Sequence, residues 1–126
     1  MILVDTSVWI EHLRRGEEAL DRLLRKSRVL IHPFVVGEIA CGNLKNRGTV
    51  LGYLQNLPQA ALASQDEALE FIENRALMGR GIGFVDAHLL AATVLTPTAK
   101  LWTLDNSLAI VAAELRLAVD PGNLRA

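Results

Sequence analysis

An α/β fold is what this sequence predicts: a short central parallel sheet flanked by helices on both faces. Two observations predict it. Apolar runs of three or four residues alternate with longer stretches whose apolar residues recur at helical spacing. Such alternation makes βα units, whose parallel strands must be covered by helices. The 126 residues suit one domain, 1–126, and 51% hydrophobic content with 21% charge excludes a disordered tail.

Ile2-Leu3-Val4 is a buried-strand run that stops at Asp5-Thr6-Ser7, where a hydroxyl can cap a helix beginning near Val8. After Gly16, Leu20, Leu23 and Leu24 recur at helical spacing up to Arg25-Lys26. Val29-Leu30-Ile31 is a second strand run, and Pro33 fits the first turn of a helix carrying Phe34 to about Leu44. No element is assigned from there to Pro58. Ala60-Ala61-Leu62-Ala63 reads as a weak strand. Ser64-Gln65-Asp66-Glu67 matches a capping box, opening a helix with Leu69, Ile72 and Ala76 as its buried stripe and Gly79 as its C-cap. The glycine-broken loop Gly79 to Gly83 leads to an apolar helix, Phe84 to Leu95, which Pro97 ends. Leu101-Trp102-Thr103-Leu104 reads as a strand, Leu108 to Leu115 as a helix, and Leu117-Ala118-Val119 as a last short strand.

Composition narrows the function classes. No apolar run approaches the roughly 18 residues of a membrane span. The N-terminal apolar stretch meets Asp5 too early for a signal peptide. A lone cysteine, Cys41, excludes an intramolecular disulfide framework and a cysteine zinc cluster, and a reducing cytoplasm is the expected compartment. The formal net charge of −1 speaks against nucleic-acid binding by bulk positive charge.

Of the 14 acids, most stand among polar residues, and Asp120 sits beside the Pro121-Gly122 turn. Four are embedded in apolar sequence. Asp5 closes the first strand run, Glu38 interrupts Phe34-Val35-Val36-Gly37 and Ile39-Ala40, Asp86 opens the apolar helix, and Asp105 follows the late strand. Each has an ordinary reading, as a helix cap, a dipole partner or an Asx turn. Together they can meet at the carboxyl edge of the sheet, where open α/β sheets carry their sites. Two carboxylates about 4 Å apart repel by roughly 4 kcal/mol at an effective dielectric near 20. Four of them with no adjacent lysine or arginine ask for a cation, and an all-oxygen set selects a hard one, Mg²⁺ or Mn²⁺. His12, His32 and His88 read as structural or exposed, because a two-residue helical offset turns His88 away from Asp86.

Met1 to Ile10, reading MILVDTSVWI, resembles the opening of PIN-domain ribonucleases of the VapC toxin type. Glu38 in a helix, Asp86 in Gly83-Phe84-Val85-Asp86-Ala87 and Asp105 in Trp102-Thr103-Leu104-Asp105 extend the resemblance to about Asp120. It implies a single PIN-like domain whose catalytic, metal-holding acids are Asp5, Glu38, Asp86 and Asp105. Asp5 and Asp86 are then direct ligands, and Ser7 and Thr103 occupy polar supporting positions. It further implies hydrolysis of RNA by metal-activated water, leaving 5′-phosphate and 3′-hydroxyl ends. A cognate antitoxin whose C-terminal segment fills a groove, and a homodimer, are the implied partners.

Arg14, Arg15, Arg22, Arg25, Lys26 and Arg28 give six positive charges in 15 positions that can guide an RNA backbone, with Lys45, Arg47 and Arg80 beyond them. Arg80, in the loop before Asp86, is the first of these to test. Leu13, Leu20, Leu24, Phe34 and Tyr53 are candidates for an apolar groove, against ordinary core packing. A metal-dependent phosphatase would need a second acid where Ser7 stands, and Lys100 as counter-ion. A phospho-receiver would need paired acids and a late lysine. A catalytically silent PIN-like module that only binds RNA or an antitoxin is the remaining alternative. If an ion neutralises four acids, ten remain against 13 basic residues, and the balanced charge no longer excludes RNA.

Overall fold

Three strands, β1 (Ile2–Val4), β2 (Val29–Leu30) and β3 (Lys100–Trp102), form a parallel sheet in the order β2-β1-β3. The computed structural model describes residues 1–125, so Ala126, the last residue of the expected domain, lies outside the described residues. Every side chain of β1 and β2 is buried. Successive strand residues point to opposite faces, so both faces of the sheet are covered, as expected of a parallel sheet between helices. Single parallel bridges extend it at both edges, Ile31 to Gln59 and Leu101 to Ala118. The two weak strands expected near 60–63 and 117–119 are thus reduced to one bridge each, the first a residue earlier than expected.

The helices are α1 (Thr6–Arg15), α2 (Glu18–Arg25), α3 (Pro33–Ala40), α4 (Arg47–Gln55), α5 (Gln65–Asn74), α6 (Phe84–Leu95) and α7 (Asn106–Glu114), followed by a 3₁₀ turn at Pro121–Leu124. None is long and apolar enough to cross a membrane. One cluster of buried residues, including Leu3, Val4, Val8, Leu20, Ile31, Leu89, Leu90 and Leu108, joins the sheet to its helices.

Five readings need correction. No hydroxyl caps α1: the helix starts at Thr6 with Asp5 at its N-cap and no side-chain cap bond. Helix α3 stops at Ala40 rather than near Leu44, because the Arg47 guanidinium takes up the carbonyls of Ala40 and Gly42. Helix α4 escapes a sequence reading because it carries two glycines, has no side-chain cap and buries only Leu54. In α5 the capping box is present, but Ala68 is the buried residue, while Leu69 and Ala76 are exposed. Gly79 is not its C-cap. The helix ends at Asn74, Ala76 takes the left-handed φ of 53°, and Leu77 N–H closes back on the Ile72 carbonyl.

Because β1 and β2 lead directly into α1 and α3, those helices begin at the carboxyl edge of the sheet. Helix α6 delivers the chain to the start of β3, which leaves its own N-terminus at that edge, and α7 begins just past the end of β3. Four helix N-termini therefore surround one edge.

Candidate active site

Asp5 is the first residue past β1, its N–H bonded to the Trp102 carbonyl at 2.9 Å, so the central strand pair fixes its backbone. Its side chain is buried at 6% exposure. Ser7 Oγ and Thr103 Oγ1 both donate to Asp5 Oδ2, at 2.8 and 2.7 Å. Those hydroxyls are fixed in turn, since Leu104 N–H donates to Ser7 Oγ and Asp105 N–H to Thr103 Oγ1, each at 3.0 Å. Two hydroxyls, one from each end of the chain, thus converge on one carboxylate oxygen, and a backbone N–H stands behind each of them.

The other three acids are each held by one donor. Thr6 Oγ1 donates to Glu38 Oε1 at 2.6 Å, tying α1 to α3. Gly83 N–H donates to Asp86 Oδ2 at 2.9 Å, in the first turn of α6. Leu108 N–H donates to Asp105 Oδ1 at 3.1 Å, making Asp105 the N-cap of α7. Asp105 therefore does fill the ordinary capping role, but with only one oxygen. Among the described residues, each of the four acids is bonded through one oxygen, and the other has no protein partner. Among the described residues, none of the four takes part in an ion pair.

These acids sense one another. Burial raises the Asp86 carboxyl above its ordinary value against the pull of the Gly83 N–H, and the negative charges of Asp5, Asp105 and Glu38 raise it further. All four positions thus contribute to one anionic field. Burial itself is unequal: Asp5 is buried and Asp86 half-buried, whereas Glu38 and Asp105 are exposed. The apolar sequence around the last two does not enclose their carboxylates, because each sits on the open side of a helix whose other side carries the core.

The donor set suits a hard divalent ion, being carboxylate oxygen with Asp, Ser and Thr neighbours and no sulfur. Among the described residues, no three His, Cys, Asp or Glu side chains stand close enough to enclose one ion. Magnesium commonly takes only one or two carboxylates and keeps several waters, so a pair of the unpartnered oxygens meets its requirement.

The basic residues singled out from the sequence do not join the acids. Arg80 Nη2 pairs with Glu114 Oε2 at 2.7 Å, pinning the glycine-broken loop to α7. Arg15 pairs with Glu11 at 3.5 Å. Arg14 lines a groove of about 860 Å³ with Ile10, Leu13, Leu44 and Lys45. Of the groove candidates, Leu13 lines this one, Leu20 is fully buried in the core, and Phe34 and Tyr53 are exposed. Lys100 donates to the Arg116 carbonyl at 2.8 Å, which engages the ammonium that a phosphatase reading would need at Asp5.

Sequence reasoning missed Thr6 as a carboxylate donor, although three hydroxyls beside acid positions were visible. It also missed the surroundings of the histidines. His32 and His88 are both buried and 6.4 Å apart, centroid to centroid. Burial and the neighbouring His88 lower the His32 pKa to about 4, and burial also lowers that of His88.

Residues 2–114 match the PIN domain family. The chain is also 46% identical over 119 residues to Ribonuclease VapC32 of Mycobacterium tuberculosis, in strains CDC 1551 / Oshkosh and ATCC 25618 / H37Rv. Those alignments cover 94% of this chain and 96% of the relative.

Proposed function

The chain belongs to the PIN-domain family, and on that premise we propose that it is a divalent-metal-dependent ribonuclease, the toxin of a VapC-type toxin–antitoxin pair. One observation carries the chemistry. Four carboxylates, three at helix N-termini and Glu38 in the second turn of α3, share a field, each anchored through one oxygen and offering the other, with no ion pair among the described residues to neutralise them. Uncompensated, that field repels a phosphodiester; with Mg²⁺ or Mn²⁺ it attracts one.

In this reading Asp5 and Asp86 hold the ion, and Glu38 and Asp105 complete the acidic site. A divalent ion bound there supplies Lewis-acid polarisation of the phosphoryl group and a water of lowered pKa. The chain's own contribution is orientation. Ser7 and Thr103 fix the rotamer of Asp5, Thr6 fixes Glu38, and the start of α6 fixes Asp86. Water attack at phosphorus leaves 5′-phosphate and 3′-hydroxyl ends, with transfer RNA among the substrates to test. The groove lined by Ile10, Leu13, Arg14, Leu44 and Lys45 suits an antitoxin segment. Arg14, Arg15 and Arg80 remain candidates for the RNA backbone, the last once released from Glu114. The protein acts in the cytoplasm, as one PIN-like domain over 1–126 and as a homodimer.

The test is incubation of purified wild-type and Asp5→Asn protein with total RNA, with and without Mg²⁺ or Mn²⁺, followed by mapping of the ends. Cleavage that needs the ion and disappears in Asp5→Asn is the expected result. Undiminished cleavage by Asp5→Asn, or cleavage that persists in EDTA, overturns the assignment.

A further inference from the structure

Two of the three phenylalanines are exposed, and both stand at the edge that carries the acids. Phe34 is the second residue of α3, held by Pro33 at the helix start and by its N–H donating to His32 Nδ1 at 3.0 Å. It lies one helical turn before Glu38, on the same side of α3. Phe84 is the first residue of α6, at the same helix start as Asp86, and its ring faces His88 one turn on rather than the side that carries Asp86. Their exposures are 40% and 43%, high for rings of this size in a folded domain.

Neither ring is loose. Both meet the buried His88 imidazole edge-on, with centroids 4.8 Å away for Phe34 and 4.6 Å for Phe84. His32 lies behind, 5.0 Å from the Phe34 ring. The result is a rigid aromatic bracket spanning α3 and α6, backed by two buried imidazoles and open to solvent. Its two helices are those that supply Glu38 and Asp86.

We propose that Phe34 and Phe84 are a nucleobase-stacking subsite, receiving an unpaired base next to the phosphodiester held at the acids. The inference rests on the ribonuclease reading and adds to it the two side chains that receive the base. Acid-site chemistry orders the phosphate but says nothing to the base, whereas an aromatic face accepts any base that is not already paired. The bracket is preorganised, so a stacked base orders no additional side chain.

The experiment measures binding of a fluorescent single-stranded RNA by anisotropy, in an Asp5→Asn background to prevent cleavage, with Phe34→Leu, Phe84→Leu and Phe34→Trp added singly. The same RNA carrying one abasic nucleotide, moved position by position, is the second probe. Each leucine variant should bind the intact RNA about 5- to 30-fold more weakly, while Phe34→Trp keeps or improves binding. One abasic position should weaken the parent protein by a similar factor and leave a leucine variant unaffected. Circular dichroism melting of each variant separates loss of stacking from loss of fold. Equal binding by parent and leucine variants overturns the subsite, and so does a loss that is the same with every abasic RNA, which would assign the phenylalanines to packing or to a protein partner. Wild-type protein that fails to cleave RNA overturns the ribonuclease reading itself; wild-type cleavage with unchanged leucine variants overturns only the stacking.

Discussion

A serine or threonine hydroxyl has one hydrogen to donate, and Ser7 and Thr103 direct theirs to the same oxygen of Asp5. Their 3.3 Å approach to each other is therefore a contact enforced by a shared acceptor. Removing either hydroxyl frees Asp5 to rotate, so Ser7→Ala or Thr103→Ala should lower kcat/KM for RNA by about 10- to 100-fold. Melting temperatures measured alongside will show both variants still folded. Asp86 makes a stability prediction of definite sign. Its raised carboxyl pKa means that the native state holds this proton more tightly than the unfolded chain does, so stability is lost as pH rises through the raised value. Asp86→Asn keeps an acceptor for Gly83 N–H without the charge. It should melt above wild type at pH 7, the gap closing as pH falls from the raised value to 3.8, the carboxyl's ordinary value. His32 has the opposite sign. Its pKa drops from 6.5 to about 4 on folding, so wild type loses stability as pH falls through that window. Comparing wild type with His32→Asn, which can still accept from Phe34 N–H, should show that slope removed. At this scale the sequence was informative about the four acids and two hydroxyls, because strand ends and helix starts could be placed. It was silent on exposure. Glu38 and Asp105 look enclosed by apolar neighbours, yet those neighbours turn inward while the acids turn out.

Helix ends show where local pattern reading stops. Three helices close in the same way, with a non-glycine residue in left-handed conformation: Ser27 after α2, Ala76 after α5 and Arg116 after α7, at φ 55°, 53° and 61°. In each, the next N–H reaches back to the third-last carbonyl: Arg28 to Leu23, Leu77 to Ile72, Leu117 to Ala112. Glycine is the usual sequence marker of this motif, and its absence hides the end of α5, whereas the breaks in apolar spacing place the ends of α2 and α7 to within a residue. That absence also strains all three, since a Cβ in this region costs about 1 kcal/mol. Ala76→Gly should therefore raise stability by about 0.5–1 kcal/mol, seen as a melting temperature a few degrees higher. A lower melting temperature would show that the gain in unfolded-chain freedom outweighs the strain relieved. The same weakness of signal explains α4, whose glycines and lone buried leucine give no periodic face. Where signals were strong, as at Pro33, the Ser64 capping box and the apolar run of α6, expectation and structure agree.

At the scale of the whole molecule, class was legible and connectivity was not. Alternating short runs and helical stretches suffice to predict a parallel α/β sheet. Strands of two or three wholly buried residues carry no alternation from which neighbours could be inferred, so the order β2-β1-β3 required the structure. The proposed ion links fold and site. It should bind the native acids and not the unfolded chain, so Mg²⁺ at about 100 times its Kd should stabilise wild type by about 2.7 kcal/mol. EDTA should reverse the shift, and Asp5→Asn should show little of it in the same scan. The strand order has one more consequence, which concerns synthesis. Of the three strands, the one made first is the middle one of the sheet, and β3, beside it, is made about a hundred residues later. Until then Asp5 lacks Thr103, and Asp105 does not exist. A nascent chain thus carries its leading carboxylate exposed and unsupported for most of its translation. A nuclease assembled in this order stays inert beside the messenger and ribosome that are making it.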